Sequence, residues 1–206
     1  MAQPDATDDQ PLPAGSFSAW LAGMQRALRG GGESDVPCHG CTACCTSSQF
    51  VHIGPDEAAT RARIPAHLLF EAPRLPVGHV LMGYDENGHC PMLVDGACSI
   101  YEHRPRTCRT YDCRVFPAAG IDADDDKPAI VHRARRWRFD HPDEVDRVEH
   151  EAVRAAAAYV AERNDLAATA TQRAVLAVQL SQAFIRTDHD HDGEVVGADP
   201  DPGLTR

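Results

Sequence analysis

Residues 38–45 read Cys38-His39-Gly40-Cys41-Thr42-Ala43-Cys44-Cys45, four cysteines in eight positions. Thiols packed this tightly along one backbone stretch cannot be spread through a hydrophobic core, so their sulfurs must converge on something small. The other four cysteines, Cys90, Cys98, Cys108 and Cys113, follow in the same region, and none lies before 38 or after 113. The segregation predicts one metal-organised module with cysteine-free flanks.

Cys38-x2-Cys41-x2-Cys44 has the spacing that wraps three thiolates around three corners of a cubane iron–sulfur cluster, with a fourth ligand arriving from elsewhere in the chain. Gly40 suits the turn between the first two, since glycine tolerates positive φ. Zinc also accepts a C-x2-C hook, but a tetrahedral zinc site needs only four N or S ligands. Adjacent Cys44 and Cys45 project in different directions, so one of them serves a second metal or is a separate buried or reactive thiol. In the second half, Cys90 and Cys98 flank a turn and can meet across its end. Cys108 and Cys113 bracket Arg-Thr-Tyr-Asp, a segment expected to bring both to one face, and either is a candidate fourth ligand for the triplet. Eight thiols match two four-thiolate sites, a cluster plus a zinc, or one site with spectators, and spacing does not choose among these. His39 and His89 are alternative ligands, with surface roles favoured.

The 206 residues suffice for one domain of ordinary size with appended helices or tails. The net charge of −11 is concentrated at the ends, with −3 in residues 1–13, −5 in residues 188–206 and only −3 between them. This balance offers no field for phosphates, and nucleic-acid binding is not expected. The first fifteen residues are acidic and proline-rich, unlike a secretory signal. No stretch reaches the roughly 18 apolar residues a membrane helix needs. A cytoplasmic protein is expected, and in that compartment thiols stay reduced and dense cysteines mean metal or redox chemistry rather than structural disulfides.

The expected fold is α+β and helix-rich: a small metal-organised cysteine module with a short β-hairpin, flanked by an N-terminal helix and a C-terminal α-helical hairpin. Residues 1–14 read as a disordered N-terminus, 15–140 as the cysteine-cluster domain with its N-terminal helix, 141–187 as the helical hairpin and 188–206 as an acidic disordered tail. Phe17, Trp20, Leu21, Met24 and Leu28 recur at helical spacing after Ser16, a candidate cap, and before Gly30-Gly31-Gly32. Gln49–Ile53 has strand character, and Gly54-Pro55 opens a short helix to about Arg63. Val80–Tyr84 and Cys90–Val94 are predicted to pair through Asp85-Glu86-Asn87-Gly88, with a second turn at Asp95-Gly96. Residues 129–139 are predicted as a strand carrying Arg133, Arg135, Arg136 and Arg138 around Trp137, a basic cluster expected to pair with local acids. Val145, Val148, Ala152, Ala155 and Tyr159, then Leu176, Leu180, Ala183 and Phe184, mark the inner faces of the last two helices, which Asn164-Asp165 divides; His150 is read as a surface position. Asp188, Asp190, Asp192, Gly193 and Asp199 fit positions 1, 3, 5, 6 and 12 of a calcium loop, but position 12 is Asp and no exit helix follows, so the stretch reads as acidic tail.

The cysteine run, Cys90-Pro91-Met92-Leu93, Cys98-Ser99-Ile100-Tyr101 and Arg104-Pro105-Arg106-Thr107-Cys108-Arg109 together resemble the YkgJ-type cysteine-cluster family, also described as a zinc- or iron-chelating CxxCxxCC domain. A related domain occurs in flagellin lysine methylases. The resemblance spans about residues 36–116 and excludes the N-terminal helix and the C-terminal hairpin. It implies metal binding, with an iron–sulfur cluster of the 4Fe-4S type expected, zinc the alternative, and the reaction unassigned. Arg104 and Arg109 are candidate cofactor-binding residues, because guanidinium groups offset the negative charge of an all-thiolate cluster. The competing reading is a structural salt bridge to Glu102 or Asp112. Tyr101 and Tyr111 are expected to shield the metal from water. The functional readings are an iron–sulfur protein that transfers electrons or assists a partner enzyme, and a zinc-stabilised protein-interaction module. A thiol enzyme ranks third, since no acid–base set accompanies Cys45.

Overall fold

The computed structural model describes residues 10–36, 38, 40–163 and 166–185. His39, Asn164-Asp165 and the calcium-like stretch lie outside them. In chain order the elements are β1 (Leu12–Ser16), α1 (Phe17–Leu28), a 3-10 turn (Cys44–Thr46), β2 (Val51–Ile53), α2 (Ala58–Arg61), β3 (Leu69–Glu71), β4 (Val80–Met82), β5 (Leu93–Val94) and β6 (Ala97–Cys98). There follow α3 (Arg106–Thr110), α4 (Val115–Ala119), α5 (Pro128–Arg136), β7 (Trp137–Asp140), α6 (Glu144–Ala161) and α7 (Ala170–Leu180). The fold is helix-rich α+β, as the residue pattern predicts.

Two apolar cores organise these elements. The larger joins α1, α4, α5, α6 and α7 around Phe17, Trp20, Phe116, Trp137 and Val153. The smaller joins β2 and β4 with Ile64, Met92 and Ile100. Helix α1 begins where expected: Ser16 Oγ caps it, accepting from Ala19 N at 3.4 Å. The same hydroxyl donates to Asp146 Oδ1 at 2.7 Å, which also accepts from Ser18 N at 2.9 Å. Asp146 sits in the capping box of α6 and is buried, so one carboxylate ties the starts of two helices together. His150 is not a surface residue: it is buried, stacks on Phe17 with ring centroids 4.1 Å apart, and shares a 2.8 Å hydrogen bond with His141.

Three local expectations are corrected. Residues 12–14 are not part of a disordered tail; β1 pairs in parallel with β7, with Leu12 opposite Trp137 and Ser16 opposite Asp140. Residues 129–136 are helix rather than strand. Pro128 takes the first helical position, where its fixed φ fits, and Ile130 and Ala134, four apart, go into the core. Strand begins only at Trp137. Finally, Val80–Met82 does not pair with Leu93–Val94. Both edges of β4 are already taken by β2 and β3. The Asp85 carboxylate does fix the expected turn, accepting from Asn87 N and His89 N at 2.8 Å each. Beyond it the chain bonds back to the cysteine loop through Cys90 N to Cys45 O (2.7 Å) and Ser48 N to Gly88 O (2.9 Å). The hairpin forms one turn later, β5 with β6 across Asp95-Gly96, whose φ of 50° and 75° suit a type I′ turn.

Candidate metal centre

The cysteines lie along the seam between the two cores. Cys44 and Cys113 pack with the helical core, whereas Cys90, Cys98 and Cys108 pack with the sheet core. All eight are free thiols, seven half-buried and Cys113 buried. Gly40, at φ 74°, turns the loop so that Cys41 N reaches Cys38 O at 2.9 Å. The chain then enters the 3-10 turn at Cys44, held by Thr46 N to Thr42 O at 3.0 Å and by Ser47 Oγ to Ala43 O at 2.5 Å. Three residues per turn set consecutive side chains about 120° apart, which sends Cys44 and Cys45 to different sides.

The electrostatics sort the thiols in a similar way, with weaker couplings across the groups: Cys45 also raises Cys44, and Cys41 and Cys38 also raise Cys45. Burial pushes Cys44 well above an ordinary thiol, with Cys113, Cys38 and Cys41 its strongest like-charged neighbours. Cys113 is pushed up to about 12 by burial, with Cys41 and Cys38 contributing, and Trp137 opposes this by donating Nε1–H to Cys113 Sγ at 3.1 Å. Cys38 is raised by burial and by Cys41. Cys45, by contrast, rises to about 12 through burial and then Cys90 and Cys98. Cys108 rises to about 12 through burial and then Cys90, Cys45 and Cys98. Burial, and then Cys98, raise Cys90, and the backbone amides of Met92 and Leu93 oppose the rise. Without metal these thiols are protonated, so metal binding must displace protons. The expectation that Cys108 and Cys113 share one face does not hold. Helix α3 ends between them at Tyr111, and Cys108 packs with the sheet core while Cys113 packs with the helical core.

Among the described residues no three His, Cys, Asp or Glu side chains close around a single ion position. Instead, all the cysteines except Cys113 border a cavity of about 540 Å³, with Met82, Tyr101, Arg104 and Tyr111 also in its wall. The donor chemistry fits a thiolate-bound metal: sulfur from many directions, the Trp137 N–H on one of the sulfurs, and a guanidinium nearby. That guanidinium belongs to Arg104, which donates to Tyr101 O at 2.9 Å, lies 3.7 Å over the Tyr101 ring and favours the charged forms of Cys38 and Cys108. Tyr111 is largely buried among thiols, which pushes its phenol up.

Arg109 takes the structural alternative, with different partners from those expected. It donates to Arg104 O at 2.9 Å and pairs with Glu33 and, at 3.8 Å, with buried Glu57. It thereby braces Arg104 from behind. His89 binds the Asp85 turn through its backbone N–H and does not line the cavity. Of the basic cluster, Arg135 pairs with Asp122 at 2.7 Å, as expected of a local acid.

Sequence reasoning missed the residues that hold Cys113. Its neighbours Asp112 and Arg114 form a buried ion pair at 2.7 Å. Asp112 also accepts from Trp20 Nε1 at 3.0 Å and Ser34 Oγ at 2.8 Å, and Arg114 donates to Ala14 O at 3.2 Å. These contacts span 78 to 100 residues of sequence, and only Asp112 next to a cysteine hinted at them.

Residues 37–129 match the CxxCxxCC family, whose description reads "putative zinc- or iron-chelating domain". This segment is similar to a CxxCxxCC domain. It contains all eight cysteines and runs from the cysteine loop to the first turn of α5. The chain therefore carries metal-chelating machinery of the zinc-or-iron kind. No curated protein and no solved structure gives a significant match to the chain. Helix α1, Trp137, α6 and α7 lie outside the matched segment, yet Trp20 and Trp137 reach into it to bind Asp112 and Cys113.

Proposed function

We propose that the chain is an iron–sulfur protein of the cytoplasm, holding a 4Fe-4S cluster on its cysteines and serving electron transfer or a partner enzyme. The observation that carries this reading is the cavity bordered by all but one of the cysteines, with the C-x2-C-x2-C triplet on its rim. Such a cluster, when bound, supplies one-electron exchange. The protein's part is binding, screening and tuning. The cysteines ligate, Tyr101 and Tyr111 keep water off, and the Trp137 N–H together with Arg104 stabilises negative charge on sulfur. The proposal assigns no catalytic residue.

The test is anaerobic isolation or reconstitution followed by UV-visible spectroscopy during reductive titration. A broad absorbance near roughly 400 nm from thiolate-to-iron charge transfer, bleaching reversibly on reduction, is expected. A colourless protein after reconstitution would overturn the proposal.

A zinc-stabilised interaction module is the second reading. It is favoured by Phe50, Phe70 and Tyr84, which cluster on the surface beside the cavity (the Phe70 and Tyr84 centroids 6.1 and 5.1 Å from that of Phe50) and are 57%, 45% and 43% exposed. Clustered exposed aromatics are characteristic of protein-binding surfaces.

A further inference from the structure

We infer that the eight cysteines form two separate four-sulfur centres, one from Cys38, Cys41, Cys44 and Cys113 and the other from Cys45, Cys90, Cys98 and Cys108, divided at the Cys44–Cys45 peptide bond. The inference rests on the proposed function only for the identity of the metal; the division itself applies to iron–sulfur or zinc.

Several features draw the dividing line. Cys44 and Cys113 belong to the helical core, and Cys90, Cys98 and Cys108 to the sheet core. The 3-10 turn sets Cys44 and Cys45 about 120° apart, and Cys45 is fixed to the second set by the 2.7 Å bond from Cys90 N to Cys45 O. Within that set the β5–β6 hairpin brings the ends together. Cys98 lies opposite Leu93, whose N–H donates to Cys90 O at 2.9 Å. Cys108 joins through α3, docked on β2 by Thr107 Oγ to His52 O at 2.8 Å. Cys113 is held away from Cys108 by its own anchors, the Asp112–Arg114 pair and the Trp137 bond, all facing the helical core.

The count has chemical meaning. Four thiolates complete a cubane or a tetrahedral zinc, so two sets of four supply the ligands for two centres with none missing and none left over. The single-site alternative leaves four thiols without a ligand role. The split also explains the adjacent cysteine pair: one peptide bond supplies a ligand to each centre and fixes their separation.

The test uses the full chain, reconstituted anaerobically with ferrous iron and sulfide and, separately, with zinc, with metal counted per chain. Cys41→Ser and Cys113→Ser probe the first set, and Cys98→Ser and Cys90→Ser the second. Wild type is expected to hold two centres (about eight irons if both are cubanes, or two zincs). Each single variant should lose one centre and keep the other, and Cys41→Ser/Cys98→Ser should lose both. Far-UV circular dichroism should show the helices intact in every variant. One centre per chain in wild type would overturn the division without any variant and leave the iron–sulfur reading standing. Loss of all metal from both Cys41→Ser and Cys98→Ser with the helices intact would overturn it as well. Two zincs with no sulfide uptake would keep the division and remove the iron–sulfur reading.

Discussion

Replacing Asp112 with alanine tests how the helical core presents Cys113. Asp112 is 2% exposed and Arg114 4%, so the change leaves a guanidinium in the interior with Asp35 as its other acidic partner, at the surface. It also removes the acceptor for Trp20 Nε1 and Ser34 Oγ. Removing one member of a buried ion pair costs about 3–5 kcal/mol, a large part of the roughly 5–15 kcal/mol that holds a domain together. At about 2–4 °C per kcal/mol for a chain of this size, the melting temperature should fall by about 6–20 °C. Urea titration followed by far-UV circular dichroism, under reducing anaerobic conditions, measures the loss directly. Asp112→Ala/Arg114→Met should recover part of it, because the stranded charge is gone. A cost below about 1 kcal/mol, the value of an exposed pair, would refute the argument that this network anchors Cys113.

Trp137→Phe removes the N–H donated to Cys113 Sγ while keeping a ring in the core. The expected results are a cost of about 0.5–1.5 kcal/mol and, in reconstituted protein, a lower reduction potential by redox titration. An unchanged potential would show that this bond does not act on a centre. Burial pushes His150 down to about 4, so the folded state prefers its neutral form. The unfolded chain then binds more protons between its ordinary value of about 6.5 and about 4. Stability is therefore full above pH 6.5 and declines as pH falls through that window, by about 2–3 kcal/mol. His150→Gln should flatten the profile in urea titrations across that range, and an identical slope would contradict the assignment. Metal removal should raise amide exchange through residues 38–113, where the sheet core is small, and leave α6 and α7 protected. Equal protection with and without metal would mean that ligation contributes nothing to that core.

What could be read along the chain was whatever depended on neighbours in sequence. The helix from Phe17 followed from its apolar spacing and its serine cap, and the cysteine module from the density of thiols at 38–45. The Asp95-Gly96 turn was legible, but the strand pairing around it was not, because only the fold shows that β2 and β3 occupy both edges of β4. Residues 129–136 misled through Ile130 and Val131: β-branching signals strand, yet Pro128 and the buried Ile130–Ala134 face make a helix. In the candidate site, the cysteines themselves were plain. Their assortment was not, since Cys108 and Cys113 are five apart in sequence and join different sets. The anchors from Trp20, Ser34 and Trp137 were invisible for the same reason: they arrive across long separations, and nothing local distinguishes them from ordinary core residues.

The most direct test of the account is quantification of iron, zinc and acid-labile sulfide in anaerobically isolated wild-type protein. The account predicts iron and sulfide in near-equal amounts with little zinc. Stoichiometric zinc without sulfide, persisting after anaerobic reconstitution with iron and sulfide, would contradict it.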